Sequence, residues 1–414
     1  MLRNFLEIAA EHPFPIQNLP YGVFSSPGRS ARVGVAIGDF VLDLHLLEER
    51  RLVPSLGVLG EASLNRLMET RGVVLRQVRA ALQDLLDERN PRLRDDRSLR
   101  EQALVPMQKA TLHFPVQVGD YTDFYSSKQH ASNVGAMFRG KENALLPNWL
   151  HLPVAYHGRS SSLILSGASV RRPYGQTKRA DESQPRFEPS REMDFELEVG
   201  AFIGTGNRLG EPIPVAKAHE HLFGLVLVND WSVRDVQRWE YVPLGPFLAK
   251  NIGTSVSPWV VTMDALEPFR IKGPMQQPEP LPYLRHDQAR SYDINLEVSL
   301  QTVSMQAPAI ICRTNSRNLY WDMNQQIAHH TVNGCNLRTG DLLASGTISG
   351  DDRESFGSLL ELSWGGKNPI ELPNGQKRTF LEDGDTVIMT AYAQGNGFRV
   401  GFGEVRGTIV AARA

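Results

Sequence analysis

The 414-residue sequence predicts a mainly β, α+β protein of two domains, a smaller one over residues 1–118 and a larger one over 119–414. Three observations lead there. A chain of this length exceeds what one hydrophobic core usually supports. Its 35 glycines and 26 prolines imply many turns, which favours β-rich architecture. Beyond Pro115 the texture changes to short β-like runs, frequent glycine and aromatic residues beside charges, which puts the boundary near residue 118.

In the first unit, Arg32 to Leu44, RVGVAIGDFVLDL, is two alternating apolar runs around Gly38-Asp39 and reads as a hairpin. From Ser63 to Leu86 the apolar residues Leu64, Leu67, Met68, Leu75, Val78, Leu82 and Leu85 recur at three and four, with Gly72 as a break between helical segments. Glu88 to Glu101 mixes charges of both signs and reads as a solvated helix end and linker. In the second unit the expected strands are Phe195 to Ile203, Leu222 to Val228, Tyr292 to Leu300, Asp341 to Ala344, Leu359 to Ser363 and Thr386 to Ala393. Helices are expected near Ser232 to Glu240 and Trp321 to Thr331. Lys178 to Glu192 and Gly273 to Arg290 are polar and proline-rich, hence surface loops.

Composition bounds the function. With 41% hydrophobic and 22% charged residues and a net charge of -2, there is no electrostatic case for nucleic acid or an acidic membrane. A small molecule is the expected partner. Cys312 and Cys335 have no companions at zinc-like spacing, so reduced thiols are expected. Glu7 and Glu11 interrupt the apolar residues of MLRNFLEIAAEHPF, and no apolar run reaches membrane-spanning length, so the expected location is the cytoplasm.

Familiar motifs fail on spacing. GTGNRLG, Gly204 to Gly210, follows a strand, but its third glycine comes one place late for a dinucleotide loop and EPIP stands where a helix should begin, so it reads as a turn. GTISG, Gly346 to Gly350, puts its serine fourth, where a nucleophile elbow needs it third. His219 and His221 in HEH, and the pair His329-His330, do not converge on one ion, and capping or packing is expected of them.

MDFELEVGAF, Met193 to Phe202, alternates Asp194, Glu196 and Glu198 with Phe195, Leu197 and Val199, so a strand here has one acidic face. At a wet surface these acids merely solvate the strand. In a cleft, acids about 6.6 Å apart repel by about 2.5 kcal/mol at an effective dielectric of 20 and call for a cation. The stretch alone leaves both readings open. LFGLVLVND, Leu222 to Asp230, is almost continuously apolar, the mark of a strand buried on both faces, with Asp230 emerging at its end. After it, Ser232 and Asp235 stand near capping-box spacing, and Arg234, Gln237 and Tyr241 share one helical face. Upstream, GDYTDFYSSKQHASNVGAMFRG gathers Asp123, Tyr125, His130 and Arg139, the inventory of a hydrolytic site for an anionic substrate. Asp123, Glu196, Glu198 and Asp230 would offer only oxygen ligands, the preference of hard cations such as Mg²⁺ and Ca²⁺.

Those segments, with ENALLPNWLHLPVAYHGR, GEPIPVAKAHEH, VPLGPFLAKN, ASGTISG and SFGSLLELSW, closely resemble the fumarylacetoacetate hydrolase family, in order from roughly residue 15 to the C-terminus. The ELE acids and Asp230 mark the wider superfamily, which includes acylpyruvate hydrolases, decarboxylases and isomerases. DYTDFYSS and the long N-terminal unit resemble the members that hydrolyse fumarylacetoacetate itself, in the last step of tyrosine and phenylalanine degradation. The resemblance implies an SH3-like N-terminal barrel, a C-terminal β-roll or β-sandwich carrying the site, and a homodimer. It implies that Asp123, Glu196, Glu198 and Asp230 hold Mg²⁺ or Ca²⁺, gives Asp194 no ligand role, and maps a second cation position to Asp230, Lys250 and Thr254. His130 matches the general base and Glu361 its orienting carboxylate, while Arg234, Gln237 and Lys250 match oxyanion and carbanion stabilisers. Tyr125, Arg139, Tyr156, Gln237, Tyr241 and Thr347 match substrate contacts. Lys128 departs from the family's arginine and keeps its charge. The expected reaction is metal-dependent hydrolysis of the carbon-carbon bond of a diketo-diacid, giving fumarate and acetoacetate. The alternatives are an acylpyruvate or other diketo-acid hydrolase, and a non-catalytic divalent-cation-binding protein, which would not need both His130 and Glu361.

Overall fold

The computed structural model describes residues 3–70 and 72–413. The expected hairpin forms: Arg29–Ile37 pairs antiparallel with Phe40–Asp43, and Gly38 turns the chain at a φ of 51°, where glycine carries little strain. With Tyr21–Ser26, Leu104–Pro106 and Thr111–His113 these strands make a five-stranded antiparallel sheet. The leucine spacing becomes two helices, Asn65–Met68 and Gly72–Leu86, the second beginning at the glycine where the break is expected. Val78, Leu82, Leu85 and Leu86 of the longer helix share a core with Val23, Val33 and Leu42 of the sheet. The charged run expected as a linker instead makes two short helices, Pro91–Arg94 and Arg97–Ala103, because Asn90 and Asp96 cap their first turns.

Two further sheets follow. The larger runs Ala155–Gly158, Tyr121–Phe124, Leu342–Ala344, Leu197–Ile203, Leu222–Asp230, Thr254–Val256 and Leu163–Leu165, with Val261–Thr262 also paired to Leu222–Asp230. The other runs Ala309–Asn315, Asn295–Gln301, Thr386–Gly395, Phe398–Val410 and Val170–Arg171. Leu225 and Leu227 share one core with Val298, Met389 and Val405 of the second sheet. Val226 and Val228 belong instead to the core of the N-terminal unit. Leu222–Asp230 is therefore buried along its whole length on both faces, and its sequence can afford polar side chains only at the end that reaches the site.

Several expectations need correction. Leu359 to Ser363, expected as a strand, is the helical turn Leu359–Leu362, started by Ser358, whose hydroxyl accepts the Glu361 N–H. A short apolar run has no period that separates strand from helix. The strand expected from Phe195 begins at Leu197, after a separate two-residue strand, Met193–Asp194. Ser232 does not cap the next helix: it lies in the strand Ser232–Val233, and Arg234–Glu240 starts without a side-chain cap. Lys178 to Glu192, read as a loop, contains Arg186–Pro189, which pairs with Tyr174–Thr177; this largely exposed hairpin has little core to impose an alternating pattern. The strand expected from Tyr292 to Leu300 divides into Ser291–Tyr292 and Asn295–Gln301. Phe398–Val410 escapes the sequence reading because glycines interrupt its alternation, and Gly401 and Gly407 leave room there for Pro13 and Trp231. The helix Met323–Thr331 forms behind a complete capping box of Asp322 and Gln325.

Gly346, beside Thr347, has a φ of 76°, and a Cβ on it would stand 2.1 Å from the Phe124 carbonyl oxygen. Gly346→Ala is expected to lose about 2–4 kcal/mol through left-handed strain and overpacking, seen as a lower urea midpoint. Wild-type stability in that variant would show that the close backbone approach is not a rigid feature.

Candidate active site

The large sheet delivers acids to one point. Asp123 lies in Tyr121–Phe124, Glu198 in Leu197–Ile203, and Asp230 ends Leu222–Asp230, while Glu196 immediately precedes Leu197. Each of Asp123, Glu196, Glu198 and Asp230 offers an oxygen within 4.8 Å of those of the others. The solvated reading of MDFELEVGAF fails, because Asp194, Glu196 and Glu198 are only 0%, 5% and 0% exposed. Burial pushes the Asp123 and Glu198 carboxyls well above the usual range, and their acidic neighbours add to the shift. Glu196 goes the other way: burial opposes its ionisation, but the Lys250 and Arg234 cations outweigh it. Both oxygens of Glu198 and Oδ1 of Asp123 are buried with no hydrogen-bond donor among the described residues. Buried acceptors left open in one oxygen-only group fit a hard divalent cation, and Mg²⁺ and Ca²⁺ both suit that donor chemistry.

Around the acids stand the cations. The Lys250 ammonium contacts Glu196 and donates to Asp230 Oδ2 at 2.7 Å. Tyr156 and Thr254 also donate to Asp230, at 2.9 and 2.8 Å. An ammonium has no lone pair, so the Lys250 side chain stands here as a countercharge and not as a ligand. Arg234 Nη2 pairs with Glu196 Oε1 at 2.6 Å, and its Nη1 donates to Gln237 Oε1 at 3.0 Å, so that the Gln237 amide nitrogen is the end not held by the guanidinium.

Asp194 takes no part in the acid cluster. It accepts Arg234 Nε at 2.8 Å, the Phe195 N–H at 2.8 Å, and the N–H groups of Leu359 and Leu360 at 2.7 and 3.0 Å. One buried carboxylate thus fixes both the guanidinium and the helical turn that carries Glu361. That turn completes the base. His130 sits in the first turn of Lys128–Arg139, behind the cap Ser127, and its Nδ1 is 2.7 Å from Glu361 Oε2. Asn133, Ser349 and Ser358 each donate to Glu361 at 2.9 Å. Burial raises the Glu361 carboxyl, but His130, Asn133 and Ser358 bring it below its ordinary range. Tyr125 packs edge-on to the imidazole at 5.3 Å.

A cavity of about 490 Å³ opens on these groups. Asp123, Tyr125, His130, Arg139, Tyr156, Glu196, Arg234, Gln237, Tyr241, Lys250 and Thr347 line it, with Phe138, Leu145 and Trp149 on the apolar side. Glu198 and Glu361 are not in that lining, and Asp230 and Thr254 line a neighbouring chamber of about 220 Å³, which Tyr156 and Lys250 also reach. Arg139 is partly committed, donating to the Asn143 and Ala144 carbonyls at 3.1 and 2.8 Å. Thr347 has a buried hydroxyl without a partner among the described residues. A larger cavity, about 620 Å³, gathers none of these groups, so chemistry and not volume locates the site. His329 and His330 are bonded to Tyr283 and Thr122, as packing histidines are expected to be. Asn133, Ser349 and Ser358 are supporting residues that no spacing in the chain announces, and Asp194, visible in the acidic alternation, takes a supporting role that the alternation does not reveal.

An oxygen-only acid cluster, an imidazole held by a carboxylate, and cationic donors on one cavity fit the class of metal-assisted hydrolases of anionic substrates. The family model for the fumarylacetoacetase N-terminal region matches residues 17–115, and that for the fumarylacetoacetate hydrolase C-terminal region matches residues 120–410. The chain belongs to the fumarylacetoacetate hydrolase family. It is 56% identical over 414 residues to the fumarylacetoacetase of Mus musculus, covering 99% of each chain, and 50% identical over 421 residues to that of Dictyostelium discoideum, covering 100% of this chain and 99% of that one. A solved fumarylacetoacetate hydrolase from Exiguobacterium antarcticum shares the fold at 16% identity, with a TM-score of 0.51 over 95% of this chain and 100% of that one.

Asp194→Ala would strip the partner from a buried guanidinium edge and from three backbone amides. The expected loss is about 3–5 kcal/mol, the scale for breaking a buried ion pair, read by chemical denaturation. A much smaller loss would mean that the turn at Leu359 and Arg234 hold their places without it.

Proposed function

We propose that this chain hydrolyses fumarylacetoacetate to fumarate and acetoacetate, the last step of tyrosine and phenylalanine degradation. The observation that carries this reading is the His130–Glu361 pair, whose imidazole shares one cavity with Arg234, Gln237, Lys250 and the edge of the acid cluster. Likeness to fumarylacetoacetases along the full chain supports the choice of substrate.

Mg²⁺ or Ca²⁺ bound to Asp123, Glu196, Glu198 and Asp230 would supply Lewis-acid polarisation of substrate oxygens and countercharge for an enolate. His130 works through Nε2, since Nδ1 faces Glu361. It takes a proton from water as the water oxygen bonds to the attacked carbonyl carbon, and Glu361 favours the imidazolium that results. Arg234, Gln237 and Lys250 donate to the oxygen on which charge develops. The carbon-carbon bond then breaks, its electron pair passes to the acetoacetate carbon, and His130 returns the proton there. Tyr125, Arg139, Tyr156, Tyr241 and Thr347 contact the diacid, whose charge needs the same cations that offset the carboxylates. A second cation position at Asp230, Lys250 and Thr254 also belongs to this reading, with the Lys250 side chain as countercharge and not as a ligand, and the chamber that those residues line supports it.

The same reading takes the five-stranded sheet as an SH3-like barrel, the two later sheets as a β-roll, and the division as lying near residue 118. It makes the protein a cytoplasmic homodimer. Two unpaired cysteines suit a reducing compartment, and Val242, Leu244 and Phe247, exposed by 67%, 95% and 66%, offer an apolar face to a second copy. Among the described residues no helix is long and apolar enough to cross a membrane.

The direct test follows fumarylacetoacetate absorbance beside acylpyruvate controls, after chelation and again with Mg²⁺ or Ca²⁺ restored. Turnover of fumarylacetoacetate that vanishes with chelator and returns with the ion is expected. Turnover of acylpyruvates alone would move the chain to a sister activity, and none with either would end the enzymatic reading. His130→Ala is expected to lower kcat by at least ~100-fold, and near-native turnover by that variant would remove the base assignment.

A further inference from the structure

We propose that Glu240 is a positioning residue for this reaction, an inference that rests on the reading of the site given above. Glu240 closes the helix Arg234–Glu240, which also carries Gln237. Its Oε1 accepts the N–H groups of Phe247 and Ala249, both at 2.8 Å, and its Oε2 accepts that of Leu248 at 3.1 Å. Three consecutive amides gathered on one carboxylate make an anion nest, and such charge-assisted bonds are about twice as strong as neutral ones. Within the chain, apolar packing does not hold this loop, since Val242, Leu244, Phe247 and Leu248 are all exposed.

The loop matters at both of its ends. Tyr241 and residues 243–246 form part of the cavity wall, and Tyr241 stacks on Phe138. At the other end the Lys250 N–H donates to the Phe247 carbonyl at 3.1 Å, and the Val233 N–H donates to the Ala249 carbonyl at 3.1 Å. Lys250 then reaches Glu196 and Asp230. Glu240 lies outside the cavity lining, yet it ties the helix bearing Arg234 and Gln237 to the segment bearing Lys250. It sets the spacing between the donors on which the developing oxyanion depends.

The test uses the full chain with Mg²⁺. Glu240→Ala and Glu240→Gln are assayed for kcat and KM, alone and combined with Lys250→Met, beside hydrogen exchange of the amides of residues 247–249. Glu240→Ala is expected to lower kcat by about tenfold to a hundredfold, the scale of a roughly 1 Å misplacement, and to raise KM. Glu240→Gln keeps one acceptor oxygen and is expected to recover part of both. On Lys250→Met the kcat effect should shrink to within about twofold while the KM effect stays, because only the first acts through Lys250. Exchange at 247–249 should accelerate in Glu240→Ala. Wild-type kcat and KM in that variant, an undiminished kcat loss on top of Lys250→Met, or unchanged exchange would each overturn the proposal. Should Glu240→Ala fail to fold, Glu240→Gln decides it by the same readouts. Exchange needs no substrate, so a wild-type chain inactive on fumarylacetoacetate would count against the substrate while the nest is still judged by its amides.

Discussion

Four buried carboxylates within reach of one ion are the constraint that the rest of the molecule answers. At the 4.8 Å limit of their separation, two unit charges repel by about 3.5 kcal/mol at an effective dielectric of 20. Strand pairing supplies rigidity: Glu198 stands opposite Val228, and Asp230 opposite Thr254, in antiparallel register, so the acids cannot drift apart. Arg234 and Lys250 supply countercharge, both to Glu196, and Tyr156 and Thr254 satisfy Asp230. Asp123 and Glu198 are left with open oxygens. The charge that the protein does not neutralise for itself is the source of its appetite for a cation.

Asp194 belongs to the same acidic stretch and has the opposite fate. The short strand at Met193–Asp194 pairs with Ser232–Val233, apart from the strand that carries Glu198, and all the donors around it are already matched. A carboxylate with full hydrogen bonding has nothing to offer a metal, but it has much to offer geometry. Through it the guanidinium that faces the acids and the turn that holds the base's partner share one anchor.

How much of this was legible in the chain depends on whether the signal was local. The continuous apolar run before Asp230 implied a strand buried on both faces, and the strand is so buried because separate cores lie against its two sides. His130 and Asp123 stood out as chemistry crowded into one segment. The acidic alternation at Glu196 and Glu198 was visible but ambiguous until burial decided it. Glu361 shows the limit: SFGSLLELSW has no period to separate helix from strand, and the side chain's surroundings come from Asn133 and Ser349, brought in by tertiary structure. Lys250, Thr254 and Thr347 carry no local signal, and only the family resemblance pointed to them. The strand Phe398–Val410 was hidden by the glycines that let Pro13 and Trp231 approach it.

The strand holding Asp123 lies parallel to Leu342–Ala344, with Asp123 opposite Ala344, so a residue from early in the chain is seated by one made much later. Parallel, long-range pairing of this kind is among the slowest steps a fold can require. A nascent chain on the ribosome therefore carries His130 and all four acids of the cluster long before the strand that seats Asp123 has been made. Catalysis begins only when almost the entire polypeptide has emerged, and a premature stop before Leu342 yields an inert protein where a more locally built enzyme could yield a weakened one.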